Sequence, residues 1–101
     1  MENTTTQEWI VNNQKLYIMH NAFGYMKIGI STDPERRRSK LQNASGVKVE
    51  VLFTSQTIGV AKEAEKWLHK HFKKARKMGE WFEGLKLEDI VLAFKQQQHG
   101  S

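Results

Sequence analysis

The chain has 101 residues, 39% of them hydrophobic and 27% charged, which is room for one small globular domain and too little core for a large internal ligand cavity. It contains no cysteine, which excludes a disulfide framework, a thiolate zinc site and a cysteine nucleophile. Sixteen Lys and Arg against eleven Asp and Glu give a formal net charge of +5, an excess that reads either as solvated helix faces or as the footprint of a polyanion partner, nucleic acid first. No apolar run approaches the ~18 residues of a membrane span. The opening stretch is polar and free of basic residues, so a cytoplasmic protein without signal peptide or membrane contact is expected.

In chain order, residues 1–14 read as a polar leader in which Trp9, Ile10 and Val11 could pack onto the domain. Leu16-Tyr17-Ile18-Met19 and Tyr25 to Ile30 are runs of strand formers, separated by the turn residues Asn21-Ala22-Phe23-Gly24, which predicts a β-hairpin. On the second strand Met26, Ile28 and Ile30 share one face, and Tyr25, Lys27 and Gly29 the other. A helix follows, started either by a Thr32–Glu35 capping box or by an Asp33 cap with Pro34 in the first turn, and ended by Gly46. Val47, Val49, Val51 and Phe53 alternate with polar or solvent-facing positions as a half-buried strand. From Ile58 to Lys74 the spacing is helical, with Val60, Ala61, Ala64, Trp67, Leu68 and Phe72 on one arc. Gly79-Glu80-Trp81-Phe82 reads as a strand or extended segment, Leu87 to Phe94 as a last amphipathic helix, and 96–101 as a polar tail. The order β-β-α-β-α-(β)-α predicts an α+β domain over 15–95, with helices on a small mixed sheet.

Eleven of the sixteen bases fall in two segments: Arg36, Arg37, Arg38 and Lys40, then Lys62, Lys66, Lys70, Lys73, Lys74, Arg76 and Lys77. In the first helix the apolar stripe should pass through Pro34, Leu41 and Ala44, which places Arg37 or Arg38 on or beside the buried face. There it is either a phosphate ligand near the helix N-terminus or a stem-buried arginine reaching water. In the second helix Glu65 falls at the rim of the apolar arc, suited to a divalent cation or simply to a neighbouring lysine. His69, one turn on, is a second ligand, a proton carrier or a surface histidine; His71 falls inside the arc and is expected to pack. Tyr17 is a core tyrosine with a hydrogen-bonded hydroxyl, or a group that orients a nucleophile.

Leu16-Tyr17-Ile18-Met19, then Lys27-Ile28-Gly29-Ile30-Ser31, then Pro34-Glu35-Arg36-Arg37 with Leu41, resembles the GIY-YIG nuclease superfamily. Glu65 to His69 with Phe72, followed by Gly79-Glu80-Trp81-Phe82, resembles a branch known largely from phage and bacterial proteins, with K-I-G as second motif and a closing E-W-F. The resemblance covers roughly residues 15–83. It implies an α+β domain with a small three-stranded, mostly antiparallel sheet flanked by helices, and cleavage of DNA phosphodiester bonds with Mg²⁺ or, in its place, Mn²⁺. It further implies that Tyr17 activates the attacking water, that Gly29 permits close backbone approach, that Arg37 steadies the transition-state phosphate and that Glu65 binds the metal. Lys27 stands where the superfamily has tyrosine, as is usual in this branch. Tyr25, two residues earlier on the same face, is placed to stand in. Ile30 follows the glycine where some members carry lysine. The late asparagine of many of these nucleases has no match, its region holding Glu80-Trp81-Phe82.

The expectation is a metal-dependent DNA endonuclease with little intrinsic sequence specificity. Tyr17, Lys27, Arg37, Tyr25 and His69 are the catalytic candidates, Glu65 the metal ligand, and Arg36, Arg38, Lys40, Lys66, Lys70, Lys73 and Lys74 the backbone grip. A homodimer or a separate targeting partner would supply double-strand cleavage or preference. The alternatives are an inactive DNA-binding module of the same fold and a regulatory protein-interaction domain.

Overall fold

The structure, a computed structural model, describes residues 13–99 together with Thr6, Trp9 and Ile10. Of the residues expected to pack from the leader, Trp9 is half-exposed and Ile10 half-buried, while Val11 lies outside the described residues.

Two apolar runs joined by a tight turn give the hairpin that the alternation predicts. Strand β1 (Lys15–Asn21) pairs antiparallel with β2 (Met26–Ser31), from Lys15 opposite Ser31 to His20 opposite Met26. Asn21 closes the turn, its Oδ1 accepting from the backbone N–H groups of Phe23 and Tyr25 at 3.0 Å each. Helix α1 (Pro34–Ser45) takes the second of the two starts open to it: Asp33 is the cap, its Oδ1 accepting from the Arg36 N–H at 3.1 Å, and Pro34 opens the first turn. Gly46 ends it in the left-handed conformation.

Strand β3 (Val49–Thr57) lies antiparallel along the other side of β1, and its register slips between Ile18 and Met19. Val51 faces Met19 but Phe53 faces Ile18, so Leu52 is the extra residue of a bulge. Neighbouring residues of β1 point to opposite faces, and the bulge therefore sends Val51 and Phe53 to opposite faces too. Val49 and Val51 pack with Tyr17, Met19 and Leu41 beneath α1. Phe53 packs edge-on against Phe94, with ring centroids 6.0 Å apart, on the far side. The single apolar face expected over 47–53 is split in two.

The sheet is not the three-stranded one expected, nor is it mixed. Strands β4 (Arg76–Met78) and β5 (Trp81–Phe82) extend it at β2, giving a five-stranded antiparallel sheet in the order β3-β1-β2-β5-β4. The broad α+β class holds. The additional strands form a ribbon that turns at Gly79 and docks through Met26 opposite Phe82 and Lys27 opposite Trp81. Helix α2 (Ala61–His71) stops before Lys74 and is followed by a 3₁₀ turn over Lys73–Ala75. Its buried arc is narrower than predicted: Ala61, Ala64 and Leu68 face the core, whereas Val60 and Trp67 are exposed. His71 is exposed as well and stacks on Trp67, centroids 4.7 Å apart. Helix α3 (Leu87–His99) continues well past Phe94 through the stretch expected as tail; residues 100 and 101 lie outside the described residues.

Helices α2 and α3 cover one face, packing Ala64, Leu68, Ile90 and Phe94 over Leu16, Ile18, Ile28 and Phe82. Helix α1 lies on the other face, chiefly over β3 and β1. The β2–β5 half of that second face, carrying Tyr25, Lys27, Gly29 and Trp81, is the part on which a site can open.

Candidate active site

The site grows from the place where β2 loses its strand neighbour. Strand β5 pairs with β2 only at Met26 and Lys27, and the Ile28 N–H closes this contact by donating to the Glu80 carbonyl at 3.1 Å. The Ile28 carbonyl takes a side chain instead: His69 Nε2 lies 2.7 Å away. A carbonyl can only accept, so Nε2 carries the proton. The His69 ring also packs edge-on against Phe82 at 5.1 Å. Histidine 69 thereby straps α2 to the edge of β2, and Glu65, one helical turn earlier, is brought to the same edge.

Across the hairpin Tyr17 faces Gly29. A Cβ at position 29 would sit 2.5 Å from the Tyr17 ring carbon that bears the hydroxyl, so the phenol crosses directly over the glycine backbone. Only glycine leaves room for it. Tyr17 is buried, and burial, reinforced by the charge of Glu80, pushes its pKa up to about 12; Arg37 opposes the rise by hydrogen bonding and charge, and Glu65 adds to it. Glu65 is pushed up to about 7, first by burial and then by the charge of Glu80 and a hydrogen bond with it, against the pull of Lys27 and Lys62. Glu80 in turn meets Lys27, whose Nζ lies 2.8 Å from its Oε1 and 5.4 Å from the centre of the Trp81 ring. Lys27 is only 5% exposed, so its charge is supported by these two partners rather than by water.

Around Gly29 the fold thus gathers a protonated phenol, a guanidinium and two carboxylates that share a hydrogen bond, with a buried ammonium behind them. At neutral pH the phenol is a donor and not a base. Two neighbouring carboxylates, one of them held partly protonated, form a donor pair that a hard cation would relieve of its proton. Among the described residues no group of three or more His, Cys, Asp or Glu is placed to hold a metal. Mg²⁺ nevertheless needs only one or two protein carboxylates when water and phosphate complete its shell, so the donor set fits that ion.

Of the residues singled out in the sequence, Tyr17, Lys27, Gly29, Arg37 and Glu65 come together here. Of the two arginines that the apolar stripe allowed beside the buried face, Arg37 is not the inward one. Arg37 is exposed, as is Ala44, and lines an open polar cleft of about 340 Å³ with Ser31, Thr32, Asp33, Arg36 and Lys40. Its neighbour Arg38 is the inward one. Arg38 Nε meets Glu35 Oε1 at 2.7 Å, while Nη1 reaches Gln42 Oε1 at 3.2 Å and the Val49 carbonyl at 3.3 Å, tying α1 to β3. Tyr25 lies further along the hairpin and lines a separate cleft with Phe23 and Trp81. Lys66, Lys70, Lys73 and Lys74 are exposed on α2 and the turn after it. Sequence reasoning passed over Glu80. Its signal was the Gly-Glu-Trp-Phe segment itself, but the partner that gives it meaning, Lys27, is reached only through the β2–β5 pairing.

Fold and site define a small α+β domain with a polar centre at one sheet edge. The T5orf172 domain model matches residues 14–97, and the chain belongs to that family, a phage-associated domain related to nuclease-like folds. Searches of curated proteins and of solved structures give no match. No helix among the described residues is long and apolar enough to cross a membrane.

Proposed function

We propose that this domain is a nuclease of the GIY-YIG type, cleaving DNA phosphodiester bonds with Mg²⁺ or Mn²⁺ and with little sequence preference of its own. The observation that carries the reading is the convergence of Tyr17, Arg37, Glu65 and Glu80 around Gly29. Glu65, with Glu80 beside it, would hold the ion, which when bound supplies Lewis-acid polarisation of the scissile phosphoryl group. Arg37, exposed at the rim, is free to pair with the phosphoryl oxygens as charge builds on them. Tyr17 keeps its proton at neutral pH and so orients the attacking water by hydrogen bonding rather than by removing its proton. Lys27 and His69 act at one remove: the first neutralises Glu80 in the metal-free protein, the second fixes α2, and hence Glu65, against β2. The exposed bases Arg36, Lys40, Lys66, Lys70, Lys73 and Lys74 would hold the DNA backbone without reading bases. A second copy would be needed to cut both strands, and a targeting partner would supply a preference among DNA sites.

A DNA-binding domain without chemistry is the second reading, favoured by the way Lys27 stands where the superfamily has tyrosine, its ammonium taken up by Glu80. Nicking of supercoiled plasmid and of single-stranded DNA, followed with Mg²⁺, Mn²⁺ or EDTA, separates the two. Metal-dependent nicking that falls on the order of 10²–10³-fold in Arg37→Ala, and is abolished in Glu65→Gln, is the expected result. Salt-sensitive DNA binding without any nicking would overturn the enzymatic reading, and nicking that survives both substitutions would remove these residues from the site.

A further inference from the structure

The hairpin tip and the β4–β5 ribbon leave large apolar side chains in water. Phe23 is 70% exposed and Met78 74%, more than packing would leave to such residues in a domain with so little core. They are not scattered. Asn21, Phe23, Tyr25, Lys77, Met78 and Trp81 line one cleft of about 230 Å³. A second cleft of about 270 Å³ shares Asn21, Phe23 and Trp81 and runs on beneath α1. The walls are aromatic rings from two different turns, and a lysine stands at the rim. Asn21 spends its Oδ1 on the Phe23 and Tyr25 N–H groups, which leaves Nδ2 as a donor in the cleft.

Position says what this cleft is for. Trp81 follows Glu80 directly, is paired with Lys27 across β2–β5, and lies under the Lys27 ammonium. Tyr25, Lys27 and Gly29 alternate along one face of β2, so the aromatic walls and the Tyr17–Gly29 centre are successive stations on one surface. A nucleic-acid strand with a phosphate at Arg37 would pass its neighbouring nucleotides over these rings. Flat aromatic walls with one amide donor and a flanking cation suit a heterocyclic base, provided that the base is not already stacked and paired in a duplex.

We propose that the Phe23–Tyr25–Trp81 cleft takes an unpaired nucleobase next to the reacting phosphate, so that the substrate class is single-stranded or locally unpaired DNA rather than intact duplex. The proposal rests on the nuclease reading for the location of the phosphate, yet it is tested by binding alone. Fluorescence anisotropy in EDTA would compare an oligonucleotide single strand, its duplex, and a strand of equal length made of abasic nucleotides. The proteins would be the wild type and Phe23→Ala, a change at an exposed turn position. The wild type should bind the single strand about tenfold more tightly than the duplex. Phe23→Ala should lose about that factor for the single strand only, as the removal of one stacking partner implies. The abasic strand should bind both proteins alike. Equal wild-type affinity for strand and duplex, a Phe23→Ala loss that falls equally on both, or no DNA binding at all would overturn the proposal. So would a Phe23→Ala effect confined to the molecular mass in light scattering, which would give the cleft to a second copy of the chain. Failure to cleave single-stranded DNA as well as plasmid in the presence of Mg²⁺ or Mn²⁺, by contrast, would count against the nuclease reading and leave the strand-to-duplex ratio as it is.

Discussion

The Tyr17 phenol makes the link between burial and chemistry measurable. Its proton is held to about pH 12 against an ordinary value of 10.0, because the anion would be buried and would face Glu80, with Arg37 only partly compensating. Between those two pH values the folded chain keeps a proton that the unfolded chain has released, so unfolding becomes easier as pH rises. The contribution is intact below pH 10 and lost above pH 12, and two units correspond to about 2.7 kcal/mol. Urea unfolding of the wild type and of Tyr17→Phe from pH 8 to 12 should therefore show the wild type losing about 2–3 kcal/mol relative to the variant across this window. A phenolate absorbance step near pH 12, absent from Tyr17→Phe, should accompany it. A stability difference that stays constant across the range would mean that the hydroxyl is solvated and not lodged over Gly29.

At the scale of elements, the β4–β5 ribbon is the addition on which the site depends. It is joined to β2 by two residue pairs, by the Ile28–Glu80 backbone bond and by the Lys27–Glu80 ion pair. Replacing Lys27 with Met keeps most of the stem and strands the Glu80 carboxylate beside Glu65, which should cost about 2 kcal/mol. The signature is local: the Ile28 amide should exchange faster with solvent while amides of the β1–β3 ladder keep their rates. Adding Glu80→Gln should recover part of the loss. Uniform acceleration throughout the sheet would show that Lys27 supports the whole fold and not the ribbon. The segment 79–82 reads as a strand or extended piece, which contains β5, but β4 and the pairing of the ribbon with β2 were hidden for a physical reason. Arg76, Lys77 and Met78 are all exposed, so they carry no alternation, and β5 has two residues, too few for a period. The hairpin, α1, β3 and most of α2 were legible because caps, turn residues and periodicity are local. The bulge at Leu52 was not, since it exists only in the register of two strands. The same division runs through the site. Tyr17, Gly29, Arg37 and Glu65 could be found by motif, whereas Glu80 acquires its role from a cross-strand partner. The apolar stripe left Arg37 and Arg38 both open at the buried face, and only the packing of α1 on β3 shows that Arg38 is the one that turns inward.

For the molecule as a whole, the excess of bases divides into those the fold uses and those it leaves to solvent. Arg38 is occupied by Glu35, Gln42 and the Val49 carbonyl, while Arg36, Lys40, Lys66, Lys70, Lys73 and Lys74 are exposed. If the exposed set grips a DNA backbone, binding releases counterions and weakens steeply with salt. With roughly five phosphates neutralised, the affinity for a duplex should fall on the order of 10²–10³-fold between 50 and 200 mM KCl. The partition can be tested residue by residue. Lys70→Gln combined with Lys74→Gln should flatten the slope of log affinity against log salt by about 2, because each removes one phosphate contact. Arg38→Gln should leave the slope unchanged and lower the unfolding midpoint instead, since it unties α1 from β3. Anisotropy titrations in EDTA at several KCl concentrations measure the first, and urea denaturation the second. A slope near zero in the wild type would assign the charge to solubility alone, and a slope that responds to Arg38→Gln as strongly as to the lysines would mean that this arginine leaves its partners to meet the DNA.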